Sequence, residues 1–323
     1  MKRFNGIALS VAFCSLASQA ALAQTKIDTL KVQHLNEVIV KGVRAAKEAP
    51  YAVANIRKSE LKQFSCTGQE LPFLLSRTPG ILAWSENGIG TGTTYMRIRG
   101  AAGSRINITL DGVALNSPED QTVFWANMNS YSSLLGSIQV QRGVGSSTNG
   151  DGAFGGSISM ATAAPSLAPT AEVTGSFGSY NTYHTGASFS TGLLGKHLIF
   201  DGAYHETATD GYVDGTAGRS GSYYGGLTWL GDNFKVSYKN IGNFEKTGQA
   251  WNGVLGGDYN SNFTLLDDGI RTYKDMYKAG LDKFNVLTGD LVRNGKGDYT
   301  ITSYTLRDGS KWDKTTDNFY QNH

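Results

Sequence analysis

The sequence predicts a mixed α+β domain followed by antiparallel transmembrane β-barrel strands, with the barrel incomplete in this chain. Three observations predict it. The composition is rich in glycine (41 residues) and poor in charge (17%), with 11% aromatics, where an average soluble domain is nearer a quarter charged. From about residue 170, apolar or aromatic residues alternate with polar ones in long runs, the period of a strand with two unlike faces. The connections between those runs alternate between tight turns and long polar loops, as the two ends of an outer-membrane barrel do. Composition alone, with a mean hydropathy of −0.27, fits a secreted soluble β protein equally well. The segregation of loop lengths favours the barrel.

The first 23 residues read as an export signal. Lys2 and Arg3 give a positive start, Ile7 to Leu16 a short apolar core, and Ala21-Leu22-Ala23 a cleavage site ahead of Gln24. Cys14 follows Phe13, which does not suit a lipoprotein signal. The mature chain then keeps only Cys66, so no internal disulfide can form. No later segment has the ~18 consecutive apolar residues of a spanning helix, so any crossing falls to strands. The net charge of +2 and the lack of a basic stripe make nucleic acid an unexpected partner.

Residues 24–44 form a polar leader around the β-prone run Leu35-Asn36-Glu37-Val38-Ile39-Val40, for which the lesser alternative is the first strand of the next domain. Residues 45–162 read as the mixed domain. Strands are expected at Ala52 to Ile56, Tyr95 to Arg99, Ile106 to Leu110, Ser137 to Arg142 and Gly156 to Ala161. A helix is expected from Gly68 to Ser76, stopped by Thr78-Pro79-Gly80. Asp111-Gly112 is a tight hairpin turn. Residues 163–323 read as the first part of the barrel, with runs around Val173, Tyr183, Leu198, Tyr223 and Phe234. Gly192–Gly195 and Gly231–Asn233 are its tight turns, and 207–221 and 248–317 its long loops.

Catalytic chemistry has no footing. Gly150-Asp151-Gly152-Ala153-Phe154-Gly155 matches a dinucleotide-binding spacing, but a strand follows where a helix is needed. His205-Glu206 lacks the second histidine of a zinc-protease motif, and the five histidines are scattered. No catalytic residue, metal site or cofactor is expected.

Several blocks, in order, carry a family resemblance: Leu71 to Ile81, Tyr95 to Gly100, Arg105 to Asn116, Ile138 to Gly143 and Gly152 to Met160. Together they resemble the plug domain of TonB-dependent receptors, and Leu35 to Val40 resembles the TonB box of that family. The resemblance implies active uptake across the cell outer membrane, with the plug gating the barrel and TonB, of the inner-membrane energy complex, as partner. A TonB box must be extended and unpaired at rest, so that TonB can add it as a strand. The resemblance also implies that Arg97, Arg99 and Arg142 anchor the plug by pairing with barrel carboxylates; solvated strand charges are the alternative. An adhesin or a passive porin-like protein is the alternative function, but neither has a folded plug behind a TonB box.

Plug loops facing outward touch ligand in similar receptors. By position these are Trp84 to Thr94, with Trp84 and Asn87, and Asn116 to Trp125, with Glu119, Asp120 and Trp125. Packing of Phe124 and Trp125 between plug and barrel is an equal alternative. Trp251 opens the best external loop. An iron chelate is the first expectation for the ligand and cobalamin the second. Plugged barrels use about 22 strands, whereas five strands and the start of a sixth at Asn318 are visible, so the remaining strands are expected beyond His323.

Overall fold

The computed structural model describes residues 44–45, 50, 52–144, 153–250 and 273–285, and the backbone of 290–293, 299–302 and 316–322. The expected signal peptide, the TonB-box run Leu35, Asn36, Glu37, Val38, Ile39 and Val40, and Trp251 lie outside the described residues.

The first domain is built on a five-stranded sheet in the order β1-β6-β7-β4-β5. Its strands are β1 (Ala52–Arg57), β4 (Ile106–Leu110), β5 (Val113–Ala114), β6 (Leu135–Arg142) and β7 (Gly156–Thr162). β4 and β7 run parallel, and the other pairs are antiparallel. Strand alternation decides which face packs. Ile138 and Val140 of β6, Ile158 and Met160 of β7, and Ile106 and Ile108 of β4 are buried in one hydrophobic core. Helix α1 (Lys58–Ser65) closes that core with Leu61 and Phe64, and α2 (Leu71–Leu75) with Leu71 and Leu75. A separate hairpin, β2 (Ile81–Ser85) and β3 (Thr94–Ile98), pairs Trp84 with Tyr95.

The expected helix from Gly68 is shorter than the sequence suggests. Gly68 has φ +70 and Glu70 is extended, so the helix starts only at Leu71, with Pro72 in its first turn, where a missing N–H costs nothing. Helix α1 was not anticipated; its apolar signal is only Leu61 and Phe64, too sparse for a clear period. The Asp111-Gly112 turn is as expected, with φ values of 50° and 89°.

The second part is a six-stranded antiparallel wall in the order β15-β12-β11-β10-β9-β8, an open sheet among the described residues. It comprises β8 (Thr170–Phe177), β9 (Tyr183–Ser190), β10 (Leu198–Thr209), β11 (Gly218–Leu230), β12 (Lys235–Gly248) and β15 (Thr316–Asn322). The short strands β13 (Asp290–Arg293) and β14 (Tyr299–Thr302) and helix α3 (Tyr273–Lys278) lie between β12 and β15. The loop expected over 207–221 is a correction: Thr207 to Thr209 and Gly218 to Gly221 pair within the ladder, leaving only residues 210–217 outside it. Small and polar residues carry the strands on where the aromatic alternation stops.

The wall is inside out by the standard of a soluble sheet. On β11, Ser220, Ser222 and Thr228 are buried, while Tyr223, Leu227 and Trp229 are exposed. The same outer face carries Phe200, Phe234, Val236 and Tyr238, the last at 67% exposure. A polar inner face against a folded domain and an apolar, aromatic outer face are what a lipid-facing wall requires.

Candidate functional site: the plug–wall interface and its outer loops

Polar residues at the ends of the first domain's elements join it to the wall. Asp111 stands at the end of β4, in the turn. Its carboxylate accepts from the Thr162 amide (2.9 Å), the Thr162 hydroxyl (2.7 Å) and Lys239 Nζ on β12 (2.9 Å). Burial pushes this carboxyl up, but the hydrogen bonds from Lys239 and Thr162 outweigh it and hold it below its ordinary value. Lys62 of α1 pairs with Glu172 of β8 at 2.7 Å, in a more exposed setting. Asn129 donates to Glu245 of β12 at 2.7 Å, and Asn243 of β12 donates to the Tyr131 hydroxyl at 3.2 Å. Burial raises the Tyr131 hydroxyl to about 12, so it stays protonated.

Glu70, just before α2, is fully buried and accepts from the Thr94 hydroxyl. Burial first, and then the charge of Glu245, push its carboxyl well above the usual range. A carboxyl that stays protonated into that range needs no counter-ion in the interface.

The three arginines make their described contacts close to home. Arg142, the last residue of β6, donates to the Pro79 carbonyl at 2.7 Å, and Arg97 of β3 lies 5.9 Å from the centre of the Trp84 ring. Arg99 follows β3 at φ 49, beside Gly143. All these contacts are within the first domain, and no carboxylate pairs with the three arginines among the described residues. The ion pairs to the wall instead use Asp111 and Lys62. Asp111 was legible only as a turn residue. The clue was on β12, where Lys235 and Lys239 alternate with Val236 and Tyr238 and so share the inner face, which calls for a facing acid.

The loop from β2 to β3 is organised by Asn87, buried at 2% exposure. Its Oδ1 accepts from the Ile89 amide at 3.0 Å and the Ser85 hydroxyl at 3.0 Å, and its Nδ2 donates to Thr91. Its carbonyl accepts from the amides of Tyr212 (2.9 Å) and Val213 (3.3 Å) in the β10–β11 loop. Beside it, Glu86 accepts from the Tyr95 hydroxyl (2.6 Å) and the Ala250 amide (3.0 Å). Tyr212 in turn bonds Asp282, and Lys283 lies 5.4 Å from the centre of the Tyr212 ring. This loop is thereby stitched to two wall loops. Trp84 is partly exposed and stacks on Tyr95, centroids 5.4 Å apart.

The second expected loop keeps to itself. Asn116 braces it by donating to the carbonyls of Ile106 and Gln121, and Asp120 caps it through Thr122. Glu119 and Asp120 are exposed. Trp125 is 5% exposed in the hydrophobic core, so the packing alternative describes it, while its neighbour Phe124 stays open. Among the described residues no hydrogen bond or ring contact joins Trp84 or Asn87 to Glu119 or Asp120.

The family model of the TonB-dependent receptor plug domain matches residues 45–157. No curated protein sequence matches the chain. Among solved structures, the fold is similar to the ferripyoverdine receptor of the outer membrane of Pseudomonas aeruginosa bound to ferripyoverdine, with TM-score 0.54 and 16% identity over 68% of this chain and 29% of that one. It is similar to the FpvAI–pyocin S2 complex, with TM-score 0.53 and 15% identity over 64% of this chain and 27% of that one. It is also similar to the copper transporter OprC, with TM-score 0.50 and 14% identity over 61% of this chain and 31% of that one. The chain thus spans less than a third of the length of these structures. With the first domain's sheet packed behind a polar-faced wall, residues 45–157 match the plug domain of TonB-dependent receptors, and the antiparallel strands that follow resemble part of such a receptor's barrel.

Proposed function

We propose that this chain gates the energised uptake of a scarce ligand through the outer membrane. One observation carries the reading: a folded plug is held by Asp111, Lys62 and Tyr131 against the polar face of a wall whose other face is aromatic. A passive pore has no use for such a plug. The outer face suits lipid, and the export signal at 1–23 suits delivery through the periplasm. The TonB box at 35–40 couples the plug to TonB. Arg97, Arg99 and Arg142 add anchoring where barrel strands beyond those described bring carboxylates to them. Trp84, Asn87, Glu119, Asp120, Trp125 and Trp251 mark the ligand side, with Asn87 and Trp125 acting through the shape of their loops. The ligand is a metal chelate, iron ahead of cobalamin. One similar receptor was solved with ferripyoverdine bound and another is a copper transporter, which supports a metal-bearing cargo.

The test is an uptake assay on cells carrying the receptor with its barrel completed. Ile39→Pro removes a backbone donor and fixes φ within the box, so strand addition to TonB fails. Ligand binding at the cell surface stays, while accumulation falls to the level of cells lacking TonB. Normal accumulation by Ile39→Pro would overturn the coupling role of the box, and accumulation without TonB would favour the porin-like alternative.

A further inference from the structure

Arg44 and Ala45 stand just behind the leader and cross the polar face of the plug sheet. Arg44 Nε donates to the Ser159 hydroxyl at 3.2 Å and Nη2 to the Ser159 carbonyl at 3.0 Å. Nη1 donates to the Ser137 hydroxyl at 3.0 Å and Nη2 to the Ser137 carbonyl at 3.3 Å. The rigid guanidinium fork thus grips β6 and β7 at once. Gln139 completes the grip. Its Oε1 accepts from the Ala45 amide at 2.7 Å, and its Nε2 donates to the Ala45 carbonyl at 3.2 Å and to Asn55 of β1 at 3.0 Å. The Gln139 amide serves Ala45 as a neighbouring strand would.

The sheet register gives this grip a direction. Among the described residues β1 is an edge strand, paired with β6 from Ala52↔Arg142 to Arg57↔Ser137. The grip lies at Ser137 and Gln139, toward the Arg57 end of that ladder. The chain must then run back toward Arg142 before β1 begins at Ala52. Six residues separate Ala45 from Ala52, enough for about 20 Å of extended chain, against the ~10 Å that three strand residues cover from Gln139 to Arg142. The chain available is about 10 Å longer than the distance to be covered. A pull on the leader is therefore borne first by residues 44–45 on the two central strands. Only when they let go does the load reach Ala52, where it peels β1 from β6 one pair at a time, the easiest way to open a ladder.

We propose that Arg44 and Ala45 form a clasp that carries a pull on the leader into β6 and β7 and protects the edge strand β1 from being peeled away. The clasp rests on the reading of residues 35–40 as the pulled segment, and it sets the order in which the plug opens. Arg44 is a positioning residue; it touches no ligand.

Two measurements on the receptor with its barrel completed separate the clasp from the box. In single-molecule pulling of the purified receptor from a handle at Gln24, the unaltered protein gives a small first rupture that releases the chain between 45 and 52, ahead of β1. Arg44→Ala loses that rupture and keeps the later ones, and Arg44→Lys retains it at lower force. In cells, with Cys66→Ser and Val53→Cys, an impermeant thiol reagent in the periplasm reports β1 opening. Arg44→Ala speeds labelling roughly tenfold while TonB is energised and leaves it unchanged when it is not. An unchanged rupture pattern in Arg44→Ala overturns the clasp, whatever the box does. If Ile39→Pro keeps its energised labelling while Arg44→Ala loses the first rupture, the clasp stands and the box reading falls.

Discussion

Changing Asp111 to Asn removes one charge from the plug–wall interface and leaves the turn intact. Asp111 sits at φ 50, a conformation that Asp and Asn tolerate better than other side chains. The asparagine oxygen can still accept from the Thr162 amide, which the carboxylate does at 2.9 Å. Its NH₂, however, replaces the oxygen that accepts from Lys239 at 2.9 Å, and turns a donor toward an ammonium. Hydrogen bonds to charged groups contribute about 1.5–3 kcal/mol. The two side chains are 24% and 25% exposed, so solvent screening leaves about 1–2 kcal/mol. That is on the order of a tenfold change in the equilibrium between seated and released plug. Lys239→Met should cost a similar amount, and the double variant little more than either single one. The sign with pH follows from the carboxyl lying below its ordinary value. Its contribution is full above the unfolded value of about 3.9 and is lost as pH falls through the lower folded value, so the gap between Asp111→Asn and the unaltered protein closes in acid. A fluorophore on the exposed Cys66 reports plug release in a urea titration of the barrel-complete receptor. Identical midpoints for Asp111→Asn and the parent at pH 7, or strictly additive single variants, would refute the anchor.

Glu70→Gln should act with the opposite pH dependence. A buried carboxyl whose folded value is raised loses stability as pH climbs from the unfolded value of about 4.3 toward the folded one. Gln keeps an acceptor for Thr94 and removes the repulsion from Glu245, so the same urea titration should lose its slope above that pH; a slope that persists would assign it elsewhere. Gly156→Ala should destabilise the plug by about 1–3 kcal/mol, because Gly156 has φ +155 and a Cβ there would run into the Gln141 carbonyl. A midpoint shift below about 0.5 kcal/mol, the ordinary range for surface changes, would show that β6 and β7 can part at Gly156 at little cost.

The parts of this fold that were legible in the sequence are those where one local rule decides the outcome. Ile106 and Ile108 alternate into a core, Asp111-Gly112 supplies two positive φ values, and Tyr223, Leu227 and Trp229 mark the outer face of a strand. The strand ends on either side of residues 210–217 were not legible, because there the inner residues are Thr207, Thr209 and Ser220 and the outer ones Ala208, Arg219 and Gly221. Such a stretch reads as a loop until a folded neighbour makes its polar face the buried one. The anchors failed to show for the same reason. Arg97, Arg99 and Arg142 stand out as charges on strands, yet a charge alone does not name its partner. Asp111 and Lys239 are 128 residues apart, and each is unremarkable alone. What joins them is the placement of the β4–β5 turn against the fifth wall strand, a property of the tertiary register and of no local motif. Trp125 makes the converse point. Its size and its neighbour Phe124 suggested a surface for ligand, but a side chain that large in a short 3-10 turn (Trp125–Met128) is stabilised most by burial in the hydrophobic core, and that is where the hydrophobic effect has put it.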